Sequence, residues 1–296
     1  MDHRLIDMRR ALLSAANADG GWAYYPGKAS RLEPTCWALL ALLPNDPTSS
    51  GRLSAHRDFL QRSRREDGLF VEAAISGEHR PNLGFNALAA ILLDRHDLGV
   101  KVPPDFVVSA LVQHKGVKLG PSSINRQDNA LQGWGWIDET FTWVEPTSWC
   151  LLALKKASSR STEARARIQE AERVLIDRCC DAGGWNYGNS NMLGQTLHPY
   201  VSTTATGLLA MQDRRQEPCI VRSLAFLTQH RVAEQSAMAL GLTLIALRVF
   251  DLPRDDVQER LLAQWDRTAF LGNAHLTALA LYALAGESQG GEAFRV

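Results

Sequence analysis

The chain has 296 residues, and its 32 lysines and arginines are matched by 32 aspartates and glutamates. Hydrophobic residues make up 45% of it and charged residues 22%, proportions that are typical of an ordinary globular protein. Zero net charge removes the simplest electrostatic basis for binding nucleic acid, so we expect no nucleic-acid partner.

The first ten residues are charged and are followed by no apolar core, so the sequence predicts no secretory signal. Farther along, no segment approaches the ~20 apolar residues of a membrane-spanning helix. The best candidate, residues 237–247, ends at Arg248. The five cysteines include no CxxC pair, a pattern typical of reduced thiols. We expect a cytoplasmic protein without a membrane span, and peripheral contact with a membrane stays open.

Two kinds of helical segment alternate along the chain. Six segments have one apolar face, which indicates helices that are half exposed: residues 4–16, 53–65, 104–114, 162–178, 218–230 and 253–265. Six others are rich in Ala and Leu nearly all round, which indicates buried helices: residues 33–42, 83–93, 145–154, 202–211, 236–247 and 272–284. Runs of alternating β-branched residues are lacking. The sequence therefore predicts an all-α (α/α)6 toroid of twelve helices in two concentric layers, forming one domain over residues 1–296.

A glycine–tryptophan turn precedes three of the buried segments, at residues 20–22, 133–136 and 183–185. The buried segments that follow read EPTCWALLAL, EPTSWCLLAL and STTATGLLAM. These repeats resemble those of the squalene/terpene cyclase and protein prenyltransferase β-subunit superfamily. The resemblance extends over the whole chain and implies a central funnel that takes an isoprenoid. The flanking glycines indicate that Trp22, Trp134 and Trp185 pack the turns themselves.

The buried helices of such a toroid are parallel, so their first residues meet at one mouth. Glu33, Glu145 and His275 fall at equivalent positions there and are candidate catalytic residues. A carboxylate near a helix N-terminus also stabilises the helix by ~0.3–1 kcal/mol, so a capping role stays open.

Class II, protonation-initiated cyclases carry Asp-x-Asp-Asp-Thr before an inner helix. Aligned on Thr35 and Thr147, Glu33 and Glu145 fall on the proton donor, but the flanking acids are missing. A lone glutamate at a helix start tends to be ionised, which suits a base or a cation stabiliser better than an acid. The Asp-x-Cys of the prenyltransferase zinc site is also missing, so we expect no metal.

The candidate substrate-binding residues are aromatic or basic. Trp37 and Trp149 lie four residues after their glutamates and therefore on the same helical face. Aromatic rings line apolar cavities and stabilise cations. The remaining candidates lie at or near inner helices or their entry loops: Trp143, Tyr200, Tyr282, Arg31 and Arg80. The two arginines would suit an anionic head group, although solvated loops are commonly rich in such residues.

The sequence thus favours a class II terpene-cyclase-like isomerase, or another enzyme that processes a prenyl substrate. A non-catalytic toroid that binds a lipid or peptide, or scaffolds a partner, is the alternative. A glycosidase using Glu33 and Glu145 would need its carboxyls ~5–9.5 Å apart, and we expect them farther apart because their repeats are not adjacent. We expect a small apolar or prenyl substrate and no cofactor, apart from Mg²⁺ if the substrate carries a diphosphate. A homo-oligomer stays open.

Overall fold

The computed structural model describes residues 2–43, 50–72, 80–96, 98–101, 103–157, 161–285 and 292–296. These residues form twelve α-helices that alternate between an outer and an inner layer. The outer helices are α1 (His3–Ser14), α3 (Ser50–Ser63), α5 (Pro104–Gln113), α7 (Thr162–Arg178), α9 (Pro218–His230) and α11 (Asp255–Thr268). The inner helices are α2 (Leu32–Leu42), α4 (Leu83–Arg95), α6 (Val144–Lys156), α8 (Val201–Ala210), α10 (Ala237–Val249) and α12 (Ala274–Ala285).

The inner helices form a closed ring, in which each packs against the next and α12 packs against α2. Helices α5, α7, α9 and α11 pack on the outside of α4, α6, α8 and α10, while α1 packs on α12. The predicted all-α toroid of two concentric layers is therefore confirmed. A small departure is the antiparallel hairpin of β1 (Asn191–Met192) and β2 (Gln195–Thr196), which lies in the loop between α7 and α8.

The inner helices are buried around their whole surface and the outer helices along one face, as the residue patterns predict. Every residue of α10 from Ala239 to Val249 is buried, whereas the buried residues of α11 are Val257, Leu261 and Leu262. Fully burying a large aliphatic side chain contributes about 1.5–3 kcal/mol. An inner helix therefore gains stability around its whole circumference, and an outer helix gains it along one stripe.

Each glycine–tryptophan turn joins the preceding outer helix to the following inner helix. The indole N–H groups of Trp22, Trp134 and Trp185 donate to carbonyls of α1, α5 and α7 at 2.7–2.9 Å. Their backbone N–H groups donate to threonine hydroxyls of the next inner helix, from Thr35, Thr147 and Thr204. All three indoles are fully buried, so their role in packing the turns is as predicted.

The glycines of these turns allow the next outer helix to approach closely. Gly20 has φ +90°, and a Cβ atom there would lie 2.1 Å from the carbonyl oxygen of Ala55 in α3. Gly183 has φ +84°, and a Cβ atom would lie 2.4 Å from the carbonyl carbon of Arg222 in α9. Only glycine satisfies both the backbone conformation and the space.

The last described segment, residues 292–296, lies across the end of the ring opposite to the turns. The side-chain amide of Gln212, just after α8, donates to the carbonyl of Phe294 at 2.8 Å. Lys156, at the end of α6, donates to the carbonyl of Arg295 at 3.1 Å. The ring of Phe294 is fully buried, so this segment closes the C-terminal end of the ring.

Within the described ranges, none of the helices combines the length and the apolar character needed to cross a membrane.

Candidate functional site

Glu33 lies in the first turn of α2 and contacts two side chains from distant parts of the chain. Its carboxylate accepts a short hydrogen bond from the hydroxyl of Tyr24. The other carboxylate oxygen lies 3.7 Å from Nε2 of His275, in the first turn of α12. The rings of Tyr24 and His275 meet edge to face, with centroids 5.8 Å apart. The closed ring thus brings together Glu33 and His275, two of the three predicted catalytic residues.

Tyr24 was not predicted as a site residue, although it lies two residues after the first glycine–tryptophan turn. Burial and the nearby charge of Glu33 raise the pKa of its hydroxyl above the ordinary value. The hydroxyl therefore keeps its proton at neutral pH and remains the donor in the bond to Glu33. Tyr24 thus holds the Glu33 carboxylate in one orientation at the mouth of the ring.

Glu145 occupies the equivalent position in the first turn of α6. Burial, and to a lesser extent the negative charge of Glu33, raises the pKa of the Glu145 carboxyl to about 7. The Glu145 carboxyl therefore holds its proton more tightly than an ordinary glutamate does, which differs from the ionised state expected of a lone glutamate at a helix start. The two glutamates also lie close enough for their charges to interact, although α4 separates their helices in the ring.

This protonation equilibrium argues against helix capping as the main role of Glu145. A helix N-terminus favours the ionised form of a carboxyl and would lower its pKa. The N-cap residues of α2 and α6 are Arg31 and Trp143, and neither makes a side-chain capping hydrogen bond. Within the described part of the chain, the carboxyls of Glu33 and Glu145 accept no hydrogen bond from their own helices.

Trp37 and Trp149, each on the same helical face as its glutamate, meet inside the ring. Their ring centroids are 6.1 Å apart, in an edge-to-face arrangement. The Trp37 ring also lies 6.3 Å from the ring of His275 and 6.0 Å from that of Tyr282. An aromatic cluster therefore lies below the carboxyl groups, toward the C-terminal end of the ring.

Phe294 completes this cluster and was not foreseen from the sequence. Its ring centroid lies 5.3 Å from those of Trp37 and Tyr282 and 5.8 Å from that of Trp149. The hydroxyl of Tyr282 donates to Glu292 at 2.5 Å and accepts from the backbone N–H of Ala293. The Tyr282 hydroxyl thus anchors the C-terminal segment, and its ring is the part that faces the cluster.

Both predicted arginines are paired with carboxylates. Arg31 lies 3.0 Å from Glu72, whose other oxygen accepts from the backbone N–H of Leu32 at 2.8 Å. Arg80 lies 4.0 Å from Glu139, and both side chains are exposed. These carboxylates offset much of the positive charge that an anionic head group would require.

Trp143 and Tyr200 lie apart from the central cluster. They are the N-cap residues of α6 and α8, and both contact Tyr187, with ring centroids 6.3 and 5.1 Å apart. These three rings line a cavity of about 880 Å³ between the loop that precedes α6 and the loop that precedes α8. Both were predicted as substrate-binding residues at or near inner helices or their entry loops, and that role stays a prediction.

Among the described residues, no three His, Cys, Asp or Glu side chains are arranged to hold a metal ion. The ring holds two interacting carboxyls, a tyrosine, a histidine and buried aromatic rings.

No family model and no curated protein matches this chain. Among solved structures, this chain is similar to the type II terpene cyclase MstE from Scytonema, with 17% sequence identity and a TM-score of 0.62. The match covers 95% of this chain and 97% of the cyclase chain. That cyclase is also known in complex with its substrate, geranylgeranyl dihydroxybenzoate.

Two glycoside hydrolases are similar to the same extent. The α-1,6-mannanase GH76A of Salegentibacter sp. HEL1_6 matches with 11% identity and a TM-score of 0.63, covering 96% of this chain and 98% of that one. A family 76 glycoside hydrolase from a bovine Bacteroides thetaiotaomicron strain matches with 11% identity and a TM-score of 0.60. This match covers 95% of this chain and 77% of the hydrolase chain. At these identities the likeness establishes a shared α/α toroid fold and nothing further.

Proposed function

We propose that the chain is a terpene-cyclase-like enzyme of the protonation-initiated class, with Glu145 as the proton donor to an isoprenoid bound in the ring. The observation that carries this proposal is a buried carboxyl, with a pKa that burial raises, above a cluster of buried aromatic rings. A general acid works best when its pKa lies near the working pH, because it must both hold a proton and release it. The fold shared with a type II terpene cyclase supports the same chemistry.

The reaction would be an isomerisation that begins and ends with a proton transfer. The Glu145 carboxyl protonates the substrate and leaves a carbocation on it. The electron pair of a nearby alkene then forms a carbon–carbon bond and moves the positive charge along the chain. Transfer of a proton from the carbon next to the final cation to a water molecule forms a carbon–carbon double bond and ends the sequence. The partly exposed Glu145 then regains a proton from solvent at the mouth.

The raised pKa of Glu145 favours an epoxide as the group that is protonated. A carboxyl with a pKa near 7 is a weaker acid than an ordinary glutamic acid, and an epoxide oxygen is far more basic than an alkene carbon. Proton transfer to the epoxide oxygen breaks one carbon–oxygen bond, gives a hydroxyl group and leaves the cation on carbon. We therefore expect an epoxidised isoprenoid to react faster than the corresponding alkene.

Trp37, Trp149 and Glu33 would stabilise the cation. The face of an indole attracts positive charge by about 0.5–2 kcal/mol or more when water is excluded, and Trp37 is only 2% exposed. Glu33, held by Tyr24 beside His275, places a carboxylate at the mouth of the same ring. His275, whose Nε2 lies 3.7 Å from the Glu33 carboxylate, is the third catalytic candidate.

The test is turnover of epoxidised and plain geranylgeranyl substrates, with products identified by gas chromatography and mass spectrometry. We expect Glu145→Gln to lose at least 100-fold in rate, on the order of a general-acid contribution. Glu163→Gln on the exposed face of α7 is the matched control and should turn over normally. Equal rates for Glu145→Gln and the unchanged protein would overturn the assignment, and an isoprenoid that binds without conversion would favour a non-catalytic toroid.

A second candidate is glycoside hydrolysis, because a pair of carboxyl groups is also the machinery of glycosidases. The similar mannanases share the fold, and an inactive variant of one carries asparagine in place of two consecutive aspartates. The only adjacent aspartates of this chain are Asp255 and Asp256, at the start of the outer helix α11, where Asp256 pairs with Arg231. Release of reducing ends from α-1,6-mannan would support this second function over cyclisation.

A further inference from the structure

Two cysteines lie together where the end of the outer helix α7 meets the start of the outer helix α9. Cys179 is the C-cap residue of α7, and Cys219 lies in the first turn of α9. Both are free thiols, as are the other three cysteines of the chain. The cyclisation proposed for the ring uses neither of them.

The sulfur of Cys179 lies against the first turns of α9. It is 4.0 Å from the carbonyl oxygen of Cys219 and 3.9 Å from the hydroxyl of Ser223. Ser223 lies one turn after Cys219 and donates to that same carbonyl at 2.6 Å. The side chain of Cys219 also hydrogen-bonds to the Cys179 sulfur. We therefore expect rotation of the two side chains to bring the sulfurs together, without the backbone movement that a distant pair would need.

The two thiols differ in exposure and in acidity. Cys179 is partly exposed, whereas Cys219 is 5% exposed. Hydrogen bonds with Cys219 and Ser223, together with the positive charge of Arg222, lower the pKa of the Cys179 thiol, although burial opposes them. The contact with Cys179 and burial raise the pKa of Cys219. Because the thiolate is the reactive form, Cys179 is the thiol that a dissolved oxidant attacks first.

The other three cysteines lack this combination. Cys36 and Cys150 are fully buried in inner helices, and burial raises the pKa of both thiols. Cys180 is 1% exposed, and burial raises the pKa of its thiol to about 11. An oxidant in solution should therefore act on Cys179 before it acts on any of these three.

We propose that Cys179 and Cys219 are a peroxide-sensitive thiol pair, in which Cys179 is oxidised first and then forms a disulfide bond with Cys219. The bond would join α7 to α9 and close a loop of residues 179–219 that contains the whole of α8. This site stands independently of the chemistry proposed for Glu145.

The reaction has two steps and hydrogen peroxide as the oxidant. The thiolate of Cys179 attacks one peroxide oxygen, the oxygen–oxygen bond breaks, and the departing hydroxide takes up the proton that the thiol released. The products are a sulfenic acid and water. The sulfur of Cys219 then attacks the sulfenic sulfur, and the hydroxyl group leaves with the proton of Cys219 as a second water. Two thiols thus lose two electrons and two protons, and one peroxide is reduced to two waters.

The experiment treats the full chain with a small excess of hydrogen peroxide, blocks the remaining thiols with N-ethylmaleimide and digests the protein with trypsin without a reducing agent. Cleavage after arginine places the two cysteines on separate peptides, residues 179–214 and 216–222. We expect mass spectrometry to find these peptides joined, with two hydrogens fewer than their sum, and separated again by dithiothreitol. Separate peptides after the peroxide treatment would overturn the proposal.

Two variants at adjacent positions assign the bond, since Cys179 and Cys180 share a peptide. Cys179→Ala should abolish the joined peptides, whereas the matched control Cys180→Ala should retain them. Fragmentation between residues 179 and 180 assigns the linked sulfur in the unchanged protein as well, so the test does not depend on how the variants fold. A bond from Cys180 to Cys219, or one between Cys179 and Cys180, would refute the pair.

A third variant tests the order of the two steps. In Cys219→Ala the second step is blocked, so the sulfenic acid of Cys179 should persist and be captured by dimedone. The unchanged protein should show far less dimedone adduct, because Cys219 consumes the sulfenic acid. Absence of the adduct in Cys219→Ala would contradict the first step.

Discussion

The backbone N–H of Trp134 donates to the hydroxyl of Thr147 at 2.9 Å, and the same hydroxyl donates to the carbonyl of Trp134 at 3.2 Å. One side chain at the start of an inner helix thus satisfies both backbone groups of the tryptophan in the preceding turn. In the second unit, Asn86 makes the equivalent pair of bonds to the backbone of Phe70. The second unit therefore keeps this side-chain contact with the turn backbone, although asparagine replaces threonine and phenylalanine replaces tryptophan.

Replacement of this threonine should destabilise the whole fold. Thr147→Val keeps the shape of the side chain but leaves the buried N–H of Trp134 without an acceptor, at a cost of about 1–3 kcal/mol. The free energy of unfolding, measured with urea, should fall by that amount. Thr228→Val on the exposed face of α9 is the control and should stay within about 0.5 kcal/mol of the unchanged protein. Equal stability of the two variants would contradict the role given to Thr147.

Removal of the ring of Phe294 should leave a hole among the central aromatic residues. Phe294→Ala takes away the side chain that contacts Trp37, Trp149 and Tyr282, and such a change costs about 3–5 kcal/mol. Val296→Ala, at a half-exposed position two residues on, should cost far less. Thermal unfolding followed by circular dichroism compares the two. If both variants lowered the melting temperature by the same amount, the packing of the Phe294 ring against the central aromatic residues would not stabilise the fold.

Glu145 should make the stability of the protein depend on pH. The pKa of its carboxyl is about 7 in the folded chain against an ordinary 4.5, so the folded state binds the proton more tightly. The stability that this proton contributes is fully present below pH 4.5 and is lost as the pH rises through 7. Glu145→Gln is neutral at every pH. Its stability relative to the unchanged protein should therefore be about 2.5 kcal/mol greater near pH 8 than near pH 5.

Urea titrations of both proteins at the two pH values measure this difference, and Glu163→Gln is the control because Glu163 is solvent-exposed. Parallel pH profiles for the unchanged protein and Glu145→Gln would mean that the Glu145 carboxyl titrates in its ordinary range. The cyclisation rate should follow the same protonation and decline as the pH rises above about 7, where the donor has lost its proton.

Neutralisation of Glu33 should lower the pKa of Glu145 without returning it to the ordinary value. The negative charge of Glu33 is one cause of the raised pKa of Glu145, but burial is the larger one. In Glu33→Gln, NMR of carbon-13-labelled glutamate side chains should therefore find the Glu145 carboxyl titrating below 7 and above 4.5. A titration that is unchanged by the substitution would show that the two carboxyls do not interact.

The repeat was predictable because each contact within a unit joins residues that lie close together in the chain. The turn residue Trp22 and the helix residue Thr35 are separated by 13 positions, and the same spacing recurs between Trp134 and Thr147. A spacing that recurs can be found by comparing the chain with itself. The two concentric layers then follow from which segments are apolar all round.

Contacts that occur once carry no such signal. Phe294 reaches Trp37 from the far end of the chain, and Tyr24 reaches Glu33 from an irregular loop. Trp143 was predicted to bind substrate because it lies at or near an inner helix or its entry loop, and that role stays a prediction. Its contact with Tyr187 is one that periodicity does not determine.

The C-terminal segment that lies across the end of the ring also has a kinetic consequence. Among the described residues, Phe294 lies against Trp37 and Trp149, so a substrate bound in the ring as proposed would enter and leave past Glu33 and Glu145. Entry and exit would then not occur at once. A product that lingers would compete directly with fresh substrate, and turnover would slow as product accumulates even while substrate remains in excess.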